Sequence, residues 1–319
     1  MLRYALARLL ALAQVVVVMS VVVYALIYAM PGDPATVILG DDATAEQIAE
    51  LRAQLGLDRP AWLGYLDWLS AVLRGDLGYS IFLRAPVAEV LGERLVPTVS
   101  IALLAAVVSL LVAVPLAVAA ARTRAGAADT TLSIVATLGM AVPGFLLALL
   151  LVRVFAVQLG WFPVAGYAPP ERGILPFLSY LVLPAVALGV VQISLLGRIT
   201  RSSVVDVLST SFVTVVRAKG VSSSGVLYGH ALRNALVPIV TVLAGSFGSL
   251  LAGAAVVETI FNIPGIGQLI VTAISRRDYP VIQATVLVIA LIYVVLNFVV
   301  DLLYPLLDPR IRLAAGGRR

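Results

Sequence analysis

The groups that could do chemistry in this chain are few, and they gather in one polar stretch. Residues 198–241 read RITRSSVVDVLSTSFVTVVRAKGVSSSGVLYGHALRNALVPIVT and hold the only lysine, Lys219, and the only histidine, His230. A phosphate-binding loop needs lysine followed by serine or threonine after a spaced glycine. Lys219 is followed by Gly220, so the chain has no such loop, and any ATP that drives it is hydrolysed by another subunit. There is no cysteine, which excludes disulfides and thiolate metal sites. One histidine excludes a histidine-rich metal site. No nucleophile and base fall together within an apolar stretch, so a membrane-embedded hydrolase lacks its parts. No catalytic residue and no metal ligand is assigned.

What the stretch offers instead is a surface. Ser209–Ser211 can start a short helix, SFVTVVRAKG, which Gly220 can close in the left-handed conformation. A second helix, VLYGHALRNALVPIV, can start at Ser222–Ser224. The first helix carries Phe212, Val213, Val215 and Val216, then Arg217, Ala218 and Lys219. A solvated loop has little reason to show those apolar side chains, and docking of a helix into a groove would use them. The other reading is a loop whose basic residues only fix membrane orientation.

The elements around this stretch are those of a membrane protein. Of 319 residues, 61% are hydrophobic and 12% charged, with a mean hydropathy of +1.06. A soluble domain has about 45–50% apolar and about 25% charged residues. The net charge of +5 comes from 21 arginines and one lysine. No basic helix with interleaved aromatics is present, so nucleic acid is not an expected partner. A helix needs about 20 apolar residues to cross a bilayer. Six stretches qualify, at roughly 9–29, 97–121, 132–158, 176–197, 235–257 and 280–303. The first has no cleavage site after it and is longer than a signal-peptide core, so it reads as an uncleaved span. Pro115, Pro143 and Pro184 interrupt these stretches, which a helix bundle tolerates. They are either packing features or bends beside a pathway. Gly245, Gly248 and Gly253 form a small face suited to close helix approach.

With the N-terminus in the cytoplasm, thirteen basic residues fall in about 70 inner residues, and eight in about 106 outer ones. Both termini are then cytoplasmic. Charges inside spans would mark an ion-coupled carrier, because each costs about 2.5–3.5 kcal/mol on insertion scales. Arg153 lies near Trp161 and can snorkel outward, and Glu258 and Asp301 fall at span ends. No midplane relay is evident.

The outer segment 30–96 is too long for a structureless loop and reads as helical. Thr44 and Gln47 fit a capping box. Gly56 can end that helix, and Pro60 can begin the next. RGDLGYS (74–80) reads as a turn. Such helices either pack on the membrane face or receive a delivery protein.

Taken together, the text of the chain resembles the inner-membrane permeases of the dipeptide, oligopeptide and nickel ABC importers. The matching segments are PGDPA (31–35), LGLDRP (55–60), RGDLGYS, LGWFPVAGY (159–167), VRAKGVSSSGVLYGHALRNALVP, VVETIFNIPGIGQLIVTAISRRDYPVIQ (256–283) and VDLLYPLLDPRIR (300–312). Together they cover essentially residues 1–312. The resemblance implies an all-α integral membrane protein with six transmembrane helices in the type I importer permease fold. It implies a first span over 1–29, an extracytoplasmic helical segment over 30–96, a core over 97–312 with a coupling loop at 198–233, and a cytoplasmic tail at 313–319. It also implies a second permease, commonly a different chain, two ATPases that bind ATP and magnesium, an external substrate-binding protein, and a place in the bacterial cytoplasmic membrane. Phe212, Val213, Val215, Val216, Arg217, Ala218, Lys219, Gly220 and Ser222 then form the coupling element. The family's general E-A-A before the glycine is replaced by Thr214, Val215 and Val216.

Short peptides are the expected cargo. Nickel complexes or another small solute are the alternative within the family, and a self-contained ion-driven carrier is the alternative outside it. Pro143, Gly144 and Glu258 are pathway candidates, chosen for kinks and polarity.

Overall fold

The computed structural model describes residues 2–29, 34–39, 43–54, 58–80, 82–123 and 126–307. Gly56, Arg124, the first three residues of PGDPA and the tail after Leu307 lie outside the described residues. The chain is helical: α1 (Leu2–Ala29), α2 (Pro34–Leu39), α3 (Ala45–Gln54), α4 (Ala61–Leu73), α5 (Val87–Arg122), α6 (Ala127–Ala141), α7 (Gly144–Leu151), α8 (Ile174–Leu208), α9 (Ser211–Ala218), α10 (Leu232–Ile260), α11 (Ile266–Arg276) and α12 (Tyr279–Leu307). A π-helical turn, Val152–Gln158, continues α7, and another, Gly225–Ala231, leads into α10. An antiparallel pair, β1 (Tyr79–Ser80) and β2 (Ala85–Pro86), pairs Tyr79 with Pro86 and Ser80 with Ala85. This small hairpin is an addition to the all-α expectation.

Four helices are long and apolar enough to cross a membrane among the described residues: Val87–Arg122, Ile174–Leu208, Gly225–Ile260 and Tyr279–Leu302. The expected continuous span over 132–158 is instead two helices bent by 106° at a short break, and counts as a fifth if the pair makes one crossing. The cause is local. Proline disfavours helical backbone in the residue before it, and Val142 is extended at φ −84°, ψ 122°. Pro143 then caps the new helix at φ −58°, ψ 135°. By contrast, Pro115 and Pro184 lie inside continuous helices. In α1, the described apolar run is Leu12–Ala25.

The chain divides into two compact units. One contains the described residues within 97–264 and 296–307. Its core draws Ala113 and Val118 from α5, Ile193, Leu196 and Val204 from α8, Leu227, and Ile239 from α10. Close helix approach depends on small residues. The Ser109 hydroxyl donates to the Ala105 carbonyl at 2.6 Å and to that of Gly189 at 3.1 Å. At Gly139, a Cβ would fall onto Ser194 Oγ, with Val190 Cγ1 at 2.9 Å and the Val190 carbonyl at 3.1 Å. Gly139→Ala is therefore expected to push α6 off α8 and cost about 1–3 kcal/mol by overpacking. Thermal unfolding of the purified protein checks this, and an unchanged midpoint would contradict it.

The second unit contains the described residues within 2–96 and 265–295. The expected capping box is present: Gln47 Oε1 accepts from the Thr44 N–H at 2.9 Å, and Thr44 Oγ1 from the Gln47 N–H at 3.3 Å. α4 begins after Pro60 and lays Tyr65 and Trp68 against Tyr24 of α1, both at 5.6 Å between ring centroids. The hydroxyls of Ser20 and Tyr65 share a hydrogen bond of 2.8 Å. Val87, Leu91, Leu269, Ala273, Val281 and Ile282 form the unit's apolar cluster.

Asp278 ties this unit's parts together. It caps α12 by accepting the Val281 N–H, and it accepts a hydrogen bond from Ser80 Oγ at 2.5 Å. Ser80 Oγ in turn accepts the Leu83 N–H at 3.0 Å. Burial raises the Asp278 pKa above its ordinary 3.8, against the two hydrogen bonds that lower it. A carboxyl whose folded pKa is raised holds its proton longer folded than unfolded. Stability is therefore lost as pH rises from 3.8 through the raised value. Asp278→Asn, which keeps an acceptor for both donors, should abolish that dependence. Amide exchange of 79–86 as a function of pH reads it, and an identical profile in both proteins would refute the assignment.

Candidate coupling element and membrane cavity

α9 is closed by its sequence. At its start, Thr210 is extended at φ −74°, ψ 149°. At its end, Gly220 has φ +83°, where only glycine sits without strain. The Gly220 N–H donates to the Arg217 carbonyl at 2.9 Å, and the Val221 N–H to the Val216 carbonyl at 3.4 Å. Those two bonds are the Schellman pattern, which satisfies carbonyls that an ending helix otherwise leaves open. Two residues on, Ser222 Oγ accepts the Gly225 N–H at 3.2 Å and its carbonyl accepts the Val226 N–H at 2.9 Å. The expected helix, glycine turn and helix are all present.

The four apolar residues of α9 divide into two faces. Val213 and Val216 are buried against Val226, with Val207 and Leu208 beside them. This corrects the expectation that all four are presented outward. Phe212 is 52% and Val215 54% exposed. Each pair is spaced by three, so each lies on one side of the helix. Thr214, Arg217, Ala218, Lys219, Gly220 and Ser222 are exposed. Phe212 meets His230 edge to face, 5.6 Å between ring centroids. The element is thus held from within by two valines and shows a phenylalanine, a valine and two cations outward. Burying each valine contributes about 1.5–3 kcal/mol, which an eight-residue helix needs because it is marginal alone.

The unit built on 97–264 also holds a cavity of about 290 Å³. Gly144 and Phe145 of α7, Val191 and Gln192 of α8, and Ser249 and Gly253 of α10 line it. Of the pathway candidates, Gly144 reaches this cavity and Pro143 makes the bend beside it. Glu258 does not line it. It is fully buried and accepts from Thr98 Oγ1 at 2.5 Å. Charge alone does not single out Gln192, which donates through Nε2 to Ser246 Oγ inside the unit. A neutral amide within an apolar run was the available signal.

Two further contacts join motifs far apart in the chain. Arg201 holds Asp129 through Nε at 2.6 Å and Nη2 at 2.8 Å. The Gly166 N–H donates to the Phe261 carbonyl at 2.8 Å, linking LGWFPVAGY to ETIFNIPG. The neighbouring Tyr167 hydroxyl is buried with no hydrogen-bond partner among the described residues. Burial first, and the charge of Glu171 second, push its pKa above 10.0.

Residues 113–313 match the family of binding-protein-dependent transport system inner membrane components, and residues 1–102 match that system's N-terminal membrane component. The chain is 42% identical over 309 residues to the "Probable peptide ABC transporter permease protein y4tP" of Sinorhizobium fredii, covering 97% of this chain and 99% of that protein. It is 40% identical over 312 residues to the glutathione transport system permease protein GsiC of Salmonella typhimurium, covering 98% and 99%. Among solved structures, the MetNI methionine ABC transporter in an inward-facing form matches at a TM-score of 0.54 and 17% identity, over 69% of this chain and 96% of that one. That likeness is one of fold.

The chain belongs to the binding-protein-dependent transport system inner membrane component family. It is a multi-pass inner-membrane permease subunit of an ABC importer, a family without a cofactor of its own. ATP is hydrolysed by separate ATPase subunits.

Proposed function

We propose that the chain forms half of a translocation pathway for short peptides, with α9 as the element through which an ATPase subunit drives it. The observation that carries this is the division of α9: Val213 and Val216 anchor it while Phe212, Val215, Arg217 and Lys219 stand outward. An exposed apolar edge with flanking cations fits a groove on a partner. In this reading the chain crosses the membrane six times, with α1 as the first crossing, 30–96 outside and both termini in the cytoplasm. A second permease, commonly a different chain, completes the pathway, and an external binding protein delivers cargo. ATP-driven closure of the ATPase pair moves α9, and with it α8 and α10, between two rigid arrangements.

Peptide cargo is supported by the names of the relatives, one for peptides and one for the tripeptide glutathione. No group of three or more His, Cys, Asp or Glu that could hold a bare metal ion occurs among the described residues, and nickel complexes stay the alternative cargo. Co-expression with the neighbouring subunits, purification and reconstitution into vesicles test the reading. Uptake of labelled di- and tripeptides should require ATP and the binding protein. Uptake by this chain alone, collapsed by an uncoupler and indifferent to ATP, would replace it with the carrier reading.

A further inference from the structure

We propose that the cavity where α5, α8 and α9 end is a binding site for a phosphate-bearing anion, either the headgroup of an anionic phospholipid or phosphate in solution. Its volume is about 640 Å³, within the range of about 300–1,000 Å³ typical of small-molecule sites. Arg122, the last residue of α5, and Arg217 of α9 both line it, with Ser209, Ser223, Leu208 and Leu227. No carboxylate does. Among the described residues, neither arginine has an ion pair, and the nearby helix-start acid Asp129 is committed to Arg201.

Two arginines lining one open cavity with no lining carboxylate leave it net positive, which favours an anion. Their planar forks match phosphate oxygens in pairs. The Ser209 hydroxyl spends its proton on the Asp206 carbonyl at 2.7 Å, which leaves the Ser223 hydroxyl as the neutral donor. The lining is divided as a phospholipid is divided, cations and hydroxyls beside two leucines. Arg122 also stands where the apolar run of α5 ends, which is where a span over α5 would meet headgroups. Basic pockets between membrane helices hold anionic headgroups by this arrangement. An anion shared by Arg122 and Arg217 ties α9 to the end of α5. Binding rests on the cavity alone, whereas any effect on ATP hydrolysis rests also on the docking role of α9.

The test uses the complete transporter, stripped of lipid in detergent and titrated with phosphatidylglycerol, phosphatidylcholine or inorganic phosphate. Native mass spectrometry counts retained lipid, and calorimetry reads phosphate. Phosphatidylglycerol should bind in preference to phosphatidylcholine. Arg122→Gln should weaken that binding about tenfold, the scale of one charge-assisted hydrogen bond, and Arg122→Lys should recover part of it. Arg122 is exposed at a helix end, so both variants are expected to fold. Displacement of the lipid by inorganic phosphate, with the same dependence on Arg122, identifies the soluble anion as the source. Resistance to displacement identifies the lipid. Equal retention of phosphatidylglycerol in wild type and Arg122→Gln overturns the site, as does equal binding of phosphatidylcholine. Loss of the ATPase subunit in Arg122→Gln with lipid binding intact also overturns it, and assigns the cavity to an acidic side chain of that subunit.

Discussion

Gly220→Pro is expected to cut coupled uptake at least tenfold while the subunit remains in the membrane and its spans remain folded. Gly220 sits at φ +83° and its N–H donates to the Arg217 carbonyl. Proline fixes φ near −65° and has no N–H, so it defeats both requirements at once. The residue after it can no longer reach the Val216 carbonyl, and the closing turn of α9 opens. Loss of two hydrogen bonds and of the turn geometry amounts to about 3 kcal/mol or more, judged by proline at other incompatible positions. An eight-residue helix has little stability of its own to spare. The contacts of Val213 and Val216 still tether the segment, so the damage falls on the direction in which Phe212 and Val215 point. Uptake in reconstituted vesicles should fall at least tenfold, and ATP hydrolysis should lose its response to substrate. Gly220→Asn is the matched control, because asparagine tolerates left-handed backbone, and it should retain most of the uptake. Normal uptake in Gly220→Pro would mean that the shape of α9 does not matter.

The second large effect lies in the Arg201–Asp129 pair. Both bonds are short, and the side chains are only 33% and 17% exposed. The carboxylate also lies in the first turn of α6, where the helix dipole favours a negative charge. Removing one partner of a fully buried pair costs about 3–5 kcal/mol, because the other charge is left unpaired. Partial exposure here reduces that to about 2–3 kcal/mol by screening. Asp129→Ala or Arg201→Ala should therefore lower the unfolding midpoint of the purified complex clearly. The double variant Asp129→Leu with Arg201→Met removes both charges together and should lose less than the two single changes combined. A strictly additive double-mutant cycle would show that the pair has no coupling, and that the geometry is incidental.

What could be read in the sequence was what local chemistry determines. The Thr44 and Gln47 capping box, the Gly220 closure and the Ser222 start each depend on residues within three or four positions, and each is present. The order of motifs along the chain likewise sufficed for the family. What could not be read depends on distant partners. Val213 and Val216 look no different from Phe212 and Val215 until Val226 and the end of α8 are placed against them. Gln192 with Ser246, Thr98 with Glu258 and Asp129 with Arg201 are separated by 54, 160 and 72 residues. The break at Pro143 was hidden for another reason. The runs on both sides are equally apolar, so hydropathy reads one span where backbone geometry makes two helices. The strand pair at 79–86 is too short to carry a period.

The outward edge of α9 is the proposed contact with an ATPase subunit. The chain contains no cysteine, so single cysteines introduced at positions 211 to 219 are unique sites for a short photoreactive maleimide. Cross-linking in the assembled transporter should join the ATPase subunit from Phe212, Val215 and Lys219, and not from Val213 or Val216. Cross-links of equal yield around the helix, or none from the outward edge, would contradict the account.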